Sequence, residues 1–292
     1  MIFGQVLTAM VTPFDQHGEI DYHAARTLVN FLIDNGTDGL VVAGTTGESP
    51  TLTTEEKISL FKFVVEVAAG RVPVIAGTGS NNTRASISLT KQAEEAGVDG
   101  IMLVAPYYNK PSQEGLFQHF KAIAEATSLP VMLYNIPGRC AVNISVETIV
   151  RLSEINNIVA VKEASGNLDA MAEIINHTPD TFTLYSGDDG LTLPVLAIGG
   201  AGVVSVASHV IGNQMQEMVT LFKNGRVQEA AVLHRSLLPI MKALFMAPNP
   251  TPVKAALNMQ GVQVGDVRLP MIPLNDDEKS ALQKVLPINS LV

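Results

Sequence analysis

The feature that most constrains the fold is a series of eight short apolar runs separated by stretches with helical spacing. Glycine, proline and other turn residues bound the runs, as expected of strands buried on both faces. The runs occupy residues 6–11, 39–43, 73–76, 100–105, 130–134, 158–163, 181–185 and 203–206. The helical stretches between them occupy residues 22–35, 54–69, 83–96, 113–127, 146–155, 168–177 and 191–198. Asp21 is placed to cap the first helix, and Gly36 to end it.

Strands that alternate with helices are typical of a parallel sheet with crossover helices. Eight such units within about 210 residues fit a closed (β/α)8 barrel, the TIM barrel. The alternative is an open, doubly wound sheet, but no G-x-G-x-x-G motif follows the first run to support a dinucleotide site. We therefore predict an α/β protein built on a TIM barrel.

The residues after the eighth run predict a C-terminal helical extension. Helical spacing recurs at residues 227–245, 252–259 and 276–285, and no low-complexity linker precedes them. We expect a barrel at residues 1–225 and a helical unit at residues 226–292 that packs on it.

Composition excludes several classes of function. The net charge of −9 disfavours a nucleic-acid partner, which would need a basic face. No apolar run approaches the length of a membrane span, and the N-terminus lacks a basic segment followed by an apolar one. The single cysteine, Cys140, rules out an internal disulfide and a cysteine-cluster metal site, and it is either an ordinary loop residue or a reactive thiol. We expect a cytoplasmic protein without a nucleic-acid or membrane partner.

The sixth run ends in a lysine, Lys162, and Gly166 follows soon after it. Burying a charged amine without a partner costs several kcal/mol, so the amine either meets a carboxylate or loses its proton. A neutral lysine attacks carbonyl carbons and forms a Schiff base. The alternative is a lysine that reaches solvent, and Lys162 alone does not decide between the two.

Active sites of TIM barrels lie at the carboxyl ends of the strands, so polar residues there are candidates. Residues 44–49 follow the second run, and their two glycines around Thr45 and Thr46 fit either a cradle for a carboxylate or an ordinary turn. Tyr107 and Tyr108 follow the fourth run and fit an interface as well as a site.

Further polar side chains follow the fifth and seventh runs. Tyr134 should project its hydroxyl into the barrel mouth, unless it is a core tyrosine with one hydrogen bond. Asp188 and Asp189 fit N-capping of the next helix better than a metal site, because they lack companion ligands. A carbonyl substrate on Lys162 needs proton transfer, which Tyr134 with Thr46 could supply. Together these residues favour a Schiff-base enzyme over a solvated lysine.

Five short motifs at these strand ends carry a resemblance to a known family. They are Gly44-Thr45-Thr46-Gly47-Glu48, Tyr107-Tyr108-Asn109, Tyr134-Asn135-x-Pro137-x-Arg139, Lys162-Glu163-Ala164 and Ser186-Gly187-Asp188. Their order and spacing resemble the pyruvate-dependent class I aldolase superfamily, which includes dihydrodipicolinate synthases and N-acetylneuraminate lyases. The resemblance covers essentially the whole chain and is closest to the dihydrodipicolinate synthase family.

The resemblance implies a reaction and a set of roles. Members of that family condense pyruvate with L-aspartate 4-semialdehyde to 4-hydroxy-tetrahydrodipicolinate and water, on the route to diaminopimelate and lysine. They use no metal and no cofactor beyond a covalent pyruvate imine. Lys162 would form this imine, and Tyr134 would be the general acid/base, linked through Thr46 to Tyr108 of a neighbouring subunit. Thr45 and Thr46 would hold the pyruvate carboxylate.

The resemblance also implies how the second substrate binds and how the chain assembles. Arg139 would bind the carboxylate of the semialdehyde, a task suited to its planar fork of donors. Val204, in the eighth run, would belong to the substrate site. Family members are commonly homotetramers, and in some cases dimers, and the role of Tyr108 requires at least a dimer.

The family's feedback site for lysine is where this sequence departs from the pattern. In lysine-inhibited members, a histidine stands at the position of Lys57 and a glutamate at the position of Ala85. Ser49, Asn81 and Tyr107 still match. Because a cation replaces a contact and the carboxylate for the ammonium group is gone, we expect the lysine site to be weakened or absent.

Two other functions stay open. One is a sugar-acid aldolase or lyase of the same superfamily, which Arg139 disfavours. The other is a barrel that binds a keto acid without turnover. The complete set of Lys162, Tyr134, Thr46 and Tyr108 argues against it, because a binding protein needs no proton relay.

Overall fold

A computed structural model describes residues 3–286 of the chain. Eight parallel strands form a closed barrel, in which each strand pairs with the next and the eighth pairs with the first. The strands are β1 (Val6–Ala9), β2 (Gly39–Val42), β3 (Val74–Gly77), β4 (Gly100–Val104), β5 (Val131–Asn135), β6 (Ile158–Glu163), β7 (Thr183–Ser186) and β8 (Gly202–Ser205). The predicted TIM barrel is confirmed, and its strands begin and end within two residues of the predicted runs.

Helices connect the strands and extend beyond the last of them. They are α1 (Tyr22–Asp34), α2 (Thr54–Ala68), α3 (Thr83–Glu95), α4 (Gln113–Ala124), α5 (Pro137–Cys140), α6 (Val146–Ser153), α7 (Leu168–His177), α8 (Thr192–Ala197), α9 (Ser208–Lys223), α10 (Val227–Ala243), α11 (Thr251–Met259) and α12 (Asp276–Gln283). Asp21 caps α1 as predicted, because its side chain accepts from the Ala24 N–H at 2.9 Å. Thr53 and Glu56 form a capping box at the start of α2. Each such cap stabilises its helix by about 1 kcal/mol.

The sequence pattern does not reveal α9, a helix of 16 residues that follows β8 almost directly. Its backbone leaves helical geometry at Ile211 (φ −134°, ψ 35°). At Gly212 a side chain would collide with the Asn35 carbonyl oxygen, which lies 2.1 Å from the place a Cβ would take. Ile211, a β-branched residue outside helical geometry, and the glycine after it interrupt the helical spacing of α9. In α10 the same spacing is uninterrupted, which is why α10 is recognised from the sequence.

Apolar side chains fill the inside of the barrel and the layer between strands and helices. The inner cluster includes Leu7, Val41, Ile75, Met102, Met132 and Ala160, and also Tyr134 and Val204. Larger numbers of Val, Leu, Ile and Phe side chains fill the outer layer. Residues in register on neighbouring strands point to the same face of the sheet, so Lys162, in register with Tyr134, also points into the barrel.

His209, near the start of α9, links the segment after β1 to the residue that follows β8. Its Nε2 accepts from the Val11 N–H at 3.2 Å, and its Nδ1 lies 2.8 Å from the Val206 carbonyl oxygen. This pair of contacts requires a neutral imidazole with its proton on Nδ1. Burial lowers the pKa of His209 to about 4, so the ring stays neutral at physiological pH.

The C-terminal helices pack against α9 and α8. Both α10 and α11 contact α9, and α12 contacts α10 and α11. The predicted division at residue 225 falls in the turn between α9 and α10, and the division into two units stays a prediction. Residues 287–292 of the predicted second unit lie outside the described range. Among residues 3–286, no helix combines the length and apolarity needed to cross a membrane.

Candidate active site

Lys162 lies inside the barrel, where its neighbours are tyrosines from the adjacent strands. Across the sheet, Tyr134 of β5 pairs in register with Lys162 of β6, which pairs with Tyr185 of β7. Only 6% of Lys162 is exposed, and its Nζ lies 4.2 Å from the centroid of the Tyr134 ring. The structure therefore brings together the two residues that the sequence predicts to carry the chemistry.

The surroundings of Lys162 favour the neutral amine. Burial lowers the pKa of Lys162 to about 8, with the charge of Arg139 acting in the same direction and the carboxylate of Asp189 opposing it. Near pH 7.5, a substantial fraction of the amine is therefore unprotonated and able to attack a carbonyl carbon.

Tyr134 keeps its proton over the same pH range. Burial raises the pKa of Tyr134 to about 12, while the Thr45 side chain and the charge of Arg139 act in the opposite direction. A protonated phenol beside a partly neutral amine is suited to donate a proton to oxygen and then to take it back.

A cavity of about 360 Å³ opens beside Tyr134 at the carboxyl ends of the strands. Thr45, Tyr134, Arg139 and Lys57 line it, and among the described residues no carboxylate does so. Arg139 belongs to α5, the single turn after β5, and its side chain makes no ion pair within residues 3–286. Two cations and no carboxylate give the cavity an affinity for anions.

Four of the predicted catalytic and substrate-binding residues, Lys162 among them, do not line this cavity. Thr46 is buried, and its Oγ1 accepts from the Asn249 amide at 2.9 Å. Val204 is buried inside the barrel. Tyr108 is 88% exposed, has a left-handed backbone (φ 74°), and borders a separate surface depression with Asn81. Within one chain, Tyr134, Thr46 and Tyr108 therefore do not form a continuous hydrogen-bonded path.

Four of the five residues of the expected lysine site are divided between the two depressions. Ser49, Lys57 and Tyr107 line the cavity beside Tyr134. Asn81 lies in the surface depression, and Ala85 is exposed in the first turn of α3. Burial lowers the pKa of Lys57. Three of the positions expected for a lysine site, Ser49, Lys57 and Tyr107, therefore line the same cavity as Tyr134.

The carboxylates after β7 have two different environments. Asp188 accepts from the Gly190 N–H at 2.8 Å and caps the following turn. The Asp189 carboxylate is buried and faces β8, where it accepts from the Ser205 hydroxyl at 2.5 Å and from the N–H groups of Val206 and Ala207. Within residues 3–286, no group of three or more His, Cys, Asp or Glu side chains is arranged to hold a metal ion.

Buried contacts from the C-terminal helices reach the loop after β2. The Glu48 carboxylate lies 2.8 Å from the Lys254 Nζ of α11, and 3% and 2% of these side chains are exposed. The Arg268 N–H donates to the same carboxylate at 2.9 Å. Burial lowers the pKa of Lys254 to about 8, against the charge of Glu48. Sequence reasoning misses Asn249 and Lys254, because neither stands near a recognisable motif.

Comparison with known proteins decides the family. A sequence profile of the dihydrodipicolinate synthetase family matches residues 2–289. The chain belongs to this family. The resemblance predicted from the five motifs is thereby confirmed.

Relatives within the dihydrodipicolinate synthetase family are similar over almost the whole chain. The 4-hydroxy-tetrahydrodipicolinate synthase 1 of Halalkalibacterium halodurans is 67% identical over 283 residues, which are 97% of this chain and 96% of the relative. A crystal structure of the Bacillus anthracis dihydrodipicolinate synthase is 64% identical, with a TM-score of 0.96 and 98% of each chain covered. The enzyme of Cyanidioschyzon merolae, solved with lysine bound, is 49% identical, with a TM-score of 0.96 and 97% of each chain covered.

Proposed function

We propose that this chain is a 4-hydroxy-tetrahydrodipicolinate synthase, which condenses pyruvate with L-aspartate 4-semialdehyde. The observation that carries the proposal is Lys162, buried with a lowered pKa against Tyr134, next to an anion-favouring cavity that Arg139 lines. Both substrates carry a carboxylate, and one offers a ketone for the amine to attack. Family membership and the names of the relatives support the same reaction.

The reaction needs only groups that this chain can supply. Neutral Lys162 adds to C2 of pyruvate, and loss of water from the carbinolamine gives the imine. Loss of a C3 proton gives an enamine, whose C3 attacks the aldehyde carbon and forms the new carbon–carbon bond. The amino group of the semialdehyde then adds to C2, displaces Lys162 and closes the ring. One water leaves in the whole sequence. Because the imine is the electron sink, we propose that no metal or organic cofactor is required.

Proton transfer is assigned to Tyr134, which would protonate the departing hydroxyl and accept a proton in later steps. Thr45 lines the same cavity as Tyr134 in the isolated chain. We propose that Thr46 and Tyr108 complete the relay in an assembly, since the exposed Tyr108 can serve a neighbouring copy. This requires a homodimer at least, and a homotetramer is the assembly we favour. The same proposal places the enzyme in the cytoplasm, with Cys140 as a buried free thiol.

Turnover of pyruvate with L-aspartate 4-semialdehyde, reported by a downstream reductase, tests the proposal. Robust turnover supports the synthase. If the borohydride-trapped pyruvate imine forms on Lys162 without turnover, the sugar-acid aldolase replaces the synthase, and cleavage of N-acetylneuraminate or 2-keto-3-deoxygluconate should then be found. If folded protein gives neither, the chain is a keto-acid-binding barrel.

Replacing Arg139 by alanine should raise the KM for the semialdehyde more than the KM for pyruvate. Loss of a hydrogen bond to a charged group costs about 1.5–3 kcal/mol, which corresponds to roughly 10- to 150-fold in affinity. Initial rates with each substrate varied in turn measure both KM values. Arg139→Lys keeps the charge but loses the fork, so its effect should be intermediate. An unchanged semialdehyde KM in Arg139→Ala would assign carboxylate binding to another residue.

Free lysine should inhibit this chain weakly or not at all. Lys57 places a cation in the cavity, and Ala85 offers no carboxylate for the ammonium group of a lysine ligand. Half-inhibition below about 1 mM, the concentration equivalent to roughly −4 kcal/mol of binding, would contradict the prediction. The double variant Lys57→His/Ala85→Glu restores the inhibited pattern and should be more sensitive than the parent.

A further inference from the structure

Asn249, in the turn before α11, makes a buried contact with the proposed relay. Its side-chain amide donates to the Thr46 hydroxyl oxygen at 2.9 Å, across 203 residues of sequence. Asn249 is 5% exposed and Thr46 is 3% exposed, so water does not compete for this hydrogen bond. We propose that Asn249 is a positioning residue that fixes the direction in which Thr46 passes a proton, an inference that rests on the proposed function.

The hydrogen-bonding capacity of the Thr46 hydroxyl is limited. The Thr46 hydroxyl has one proton to donate and two lone pairs to accept with. Asn249 occupies one lone pair, which leaves one donor and one acceptor. That remainder is what a link between two other hydroxyls, Tyr134 and Tyr108, requires. Without Asn249, the Thr46 hydroxyl can rotate into orientations that leave one of its neighbours without a partner.

Asn249 is not needed to hold the loop that carries Thr46. On the other side of Gly47, the Glu48 carboxylate is fixed by Lys254 at 2.8 Å and by the Arg268 N–H at 2.9 Å. The Thr12 hydroxyl donates to the Gly47 carbonyl oxygen at 2.6 Å. These contacts keep the backbone in place when the Asn249 side chain is removed. The removal therefore changes the orientation of the Thr46 hydroxyl and not the position of the loop.

Two substitutions at Asn249 separate loss of the hydrogen bond from its reversal. Asn249→Ala removes the donor, and we expect kcat to fall about 3- to 10-fold while both KM values stay within twofold. Asn249→Asp keeps the shape but can only accept when ionised, so it draws the Thr46 proton to itself. We therefore expect Asn249→Asp to lower kcat more than Asn249→Ala does.

A double-mutant cycle with Thr46→Val tests whether Asn249 acts through Thr46. Valine has no hydroxyl to orient, so adding Asn249→Ala to Thr46→Val should change kcat by less than twofold. The matched control is Gln260→Ala, because Gln260, at the end of α11, also carries a buried amide, and this side-chain amide makes no hydrogen bond within residues 3–286. Its kcat should equal that of the parent.

The outcomes are distinguishable from failure of the proposed function, because all rates are compared with the turnover of the parent enzyme. If the parent does not turn over both substrates, the proposed function fails first. Losses in kcat that multiply in the double variant would overturn the positioning role, as would a rise in KM with kcat unchanged. If Asn249→Ala gives no folded protein by circular dichroism, Asn249→Asp and Asn249→Ser are compared in the same cycle.

Discussion

Replacing Lys162 by alanine is expected to abolish turnover and the borohydride-dependent attachment of pyruvate, with the fold retained. Removing a nucleophile that forms a covalent intermediate costs roughly 10³-fold or more in kcat. Alanine at position 162 leaves a space next to Tyr134 and relieves the burial of an amine, so the barrel should remain assembled. Mass spectrometry of the trapped adduct and the coupled assay measure the two effects.

The chain contains its own control in Lys254. Burial lowers the pKa of both lysines to about 8, so a lowered pKa alone does not distinguish them. Lys254, however, lies 2.8 Å from Glu48 and donates to the Asp266 carbonyl oxygen at 2.7 Å. The Lys162 Nζ instead lies 4.2 Å from the ring centroid of Tyr134, which lines the cavity. Pyruvate should therefore label Lys162 and leave Lys254 unmodified. Labelling of Lys254, or labelling that survives in Lys162→Ala, would refute the assignment.

The pH dependence of imine formation follows from the same pKa. Only the neutral amine attacks, so below the pKa of Lys162 the trapping rate should rise about tenfold per pH unit. Above a pH of about 8 the rate should level off, because the amine is already unprotonated. A trapping rate that keeps rising to pH 10 would show that Lys162 has an ordinary pKa.

Sequence reasoning identifies the fold and Lys162 for physical reasons. Buried parallel strands must be apolar along their whole length, and crossover helices must show helical spacing. The alternation of eight apolar runs with helical stretches is therefore visible in the sequence. A lysine that ends such a run stands out because its charge is costly there. Tyr134 is identified in the same way, from its place at the end of β5.

The remaining features depend on side-chain directions and distant contacts that no local pattern records. Asp188 and Asp189 are identical in type and adjacent, yet one caps a turn and the other accepts hydrogen bonds from β8 and the residues after it. Asn249 meets Thr46 only through the packing of the C-terminal helices on the barrel. The position of Tyr108, exposed on a left-handed turn, follows from loop geometry.

Replacing Tyr134 by phenylalanine is expected to lower kcat by roughly 10²- to 10⁴-fold, the contribution typical of a positioned general acid/base. The ring remains beside the Lys162 amine at the same distance, so the electrostatic contact of amine and ring persists while the proton donor is lost. Imine formation should become slow but should still reach completion, because water can protonate the carbinolamine less efficiently. Single-turnover trapping and steady-state rates measure the two effects separately.

Tyr185→Phe is the matched control for Tyr134→Phe. Tyr185 faces Lys162 in register from the other neighbouring strand, but its hydroxyl donates to the Gly4 carbonyl oxygen at 2.9 Å, toward the amino-terminal side of the barrel. Loss of this hydrogen bond should lower the free energy of unfolding by about 1 kcal/mol and leave kcat near that of the parent. If both variants lose activity equally, the tyrosines act by packing around Lys162, and if neither does, another group moves the proton. A large loss in Tyr134→Phe alone assigns the proton transfer to the Tyr134 hydroxyl, because the two substitutions remove the same atom on either side of the same amine.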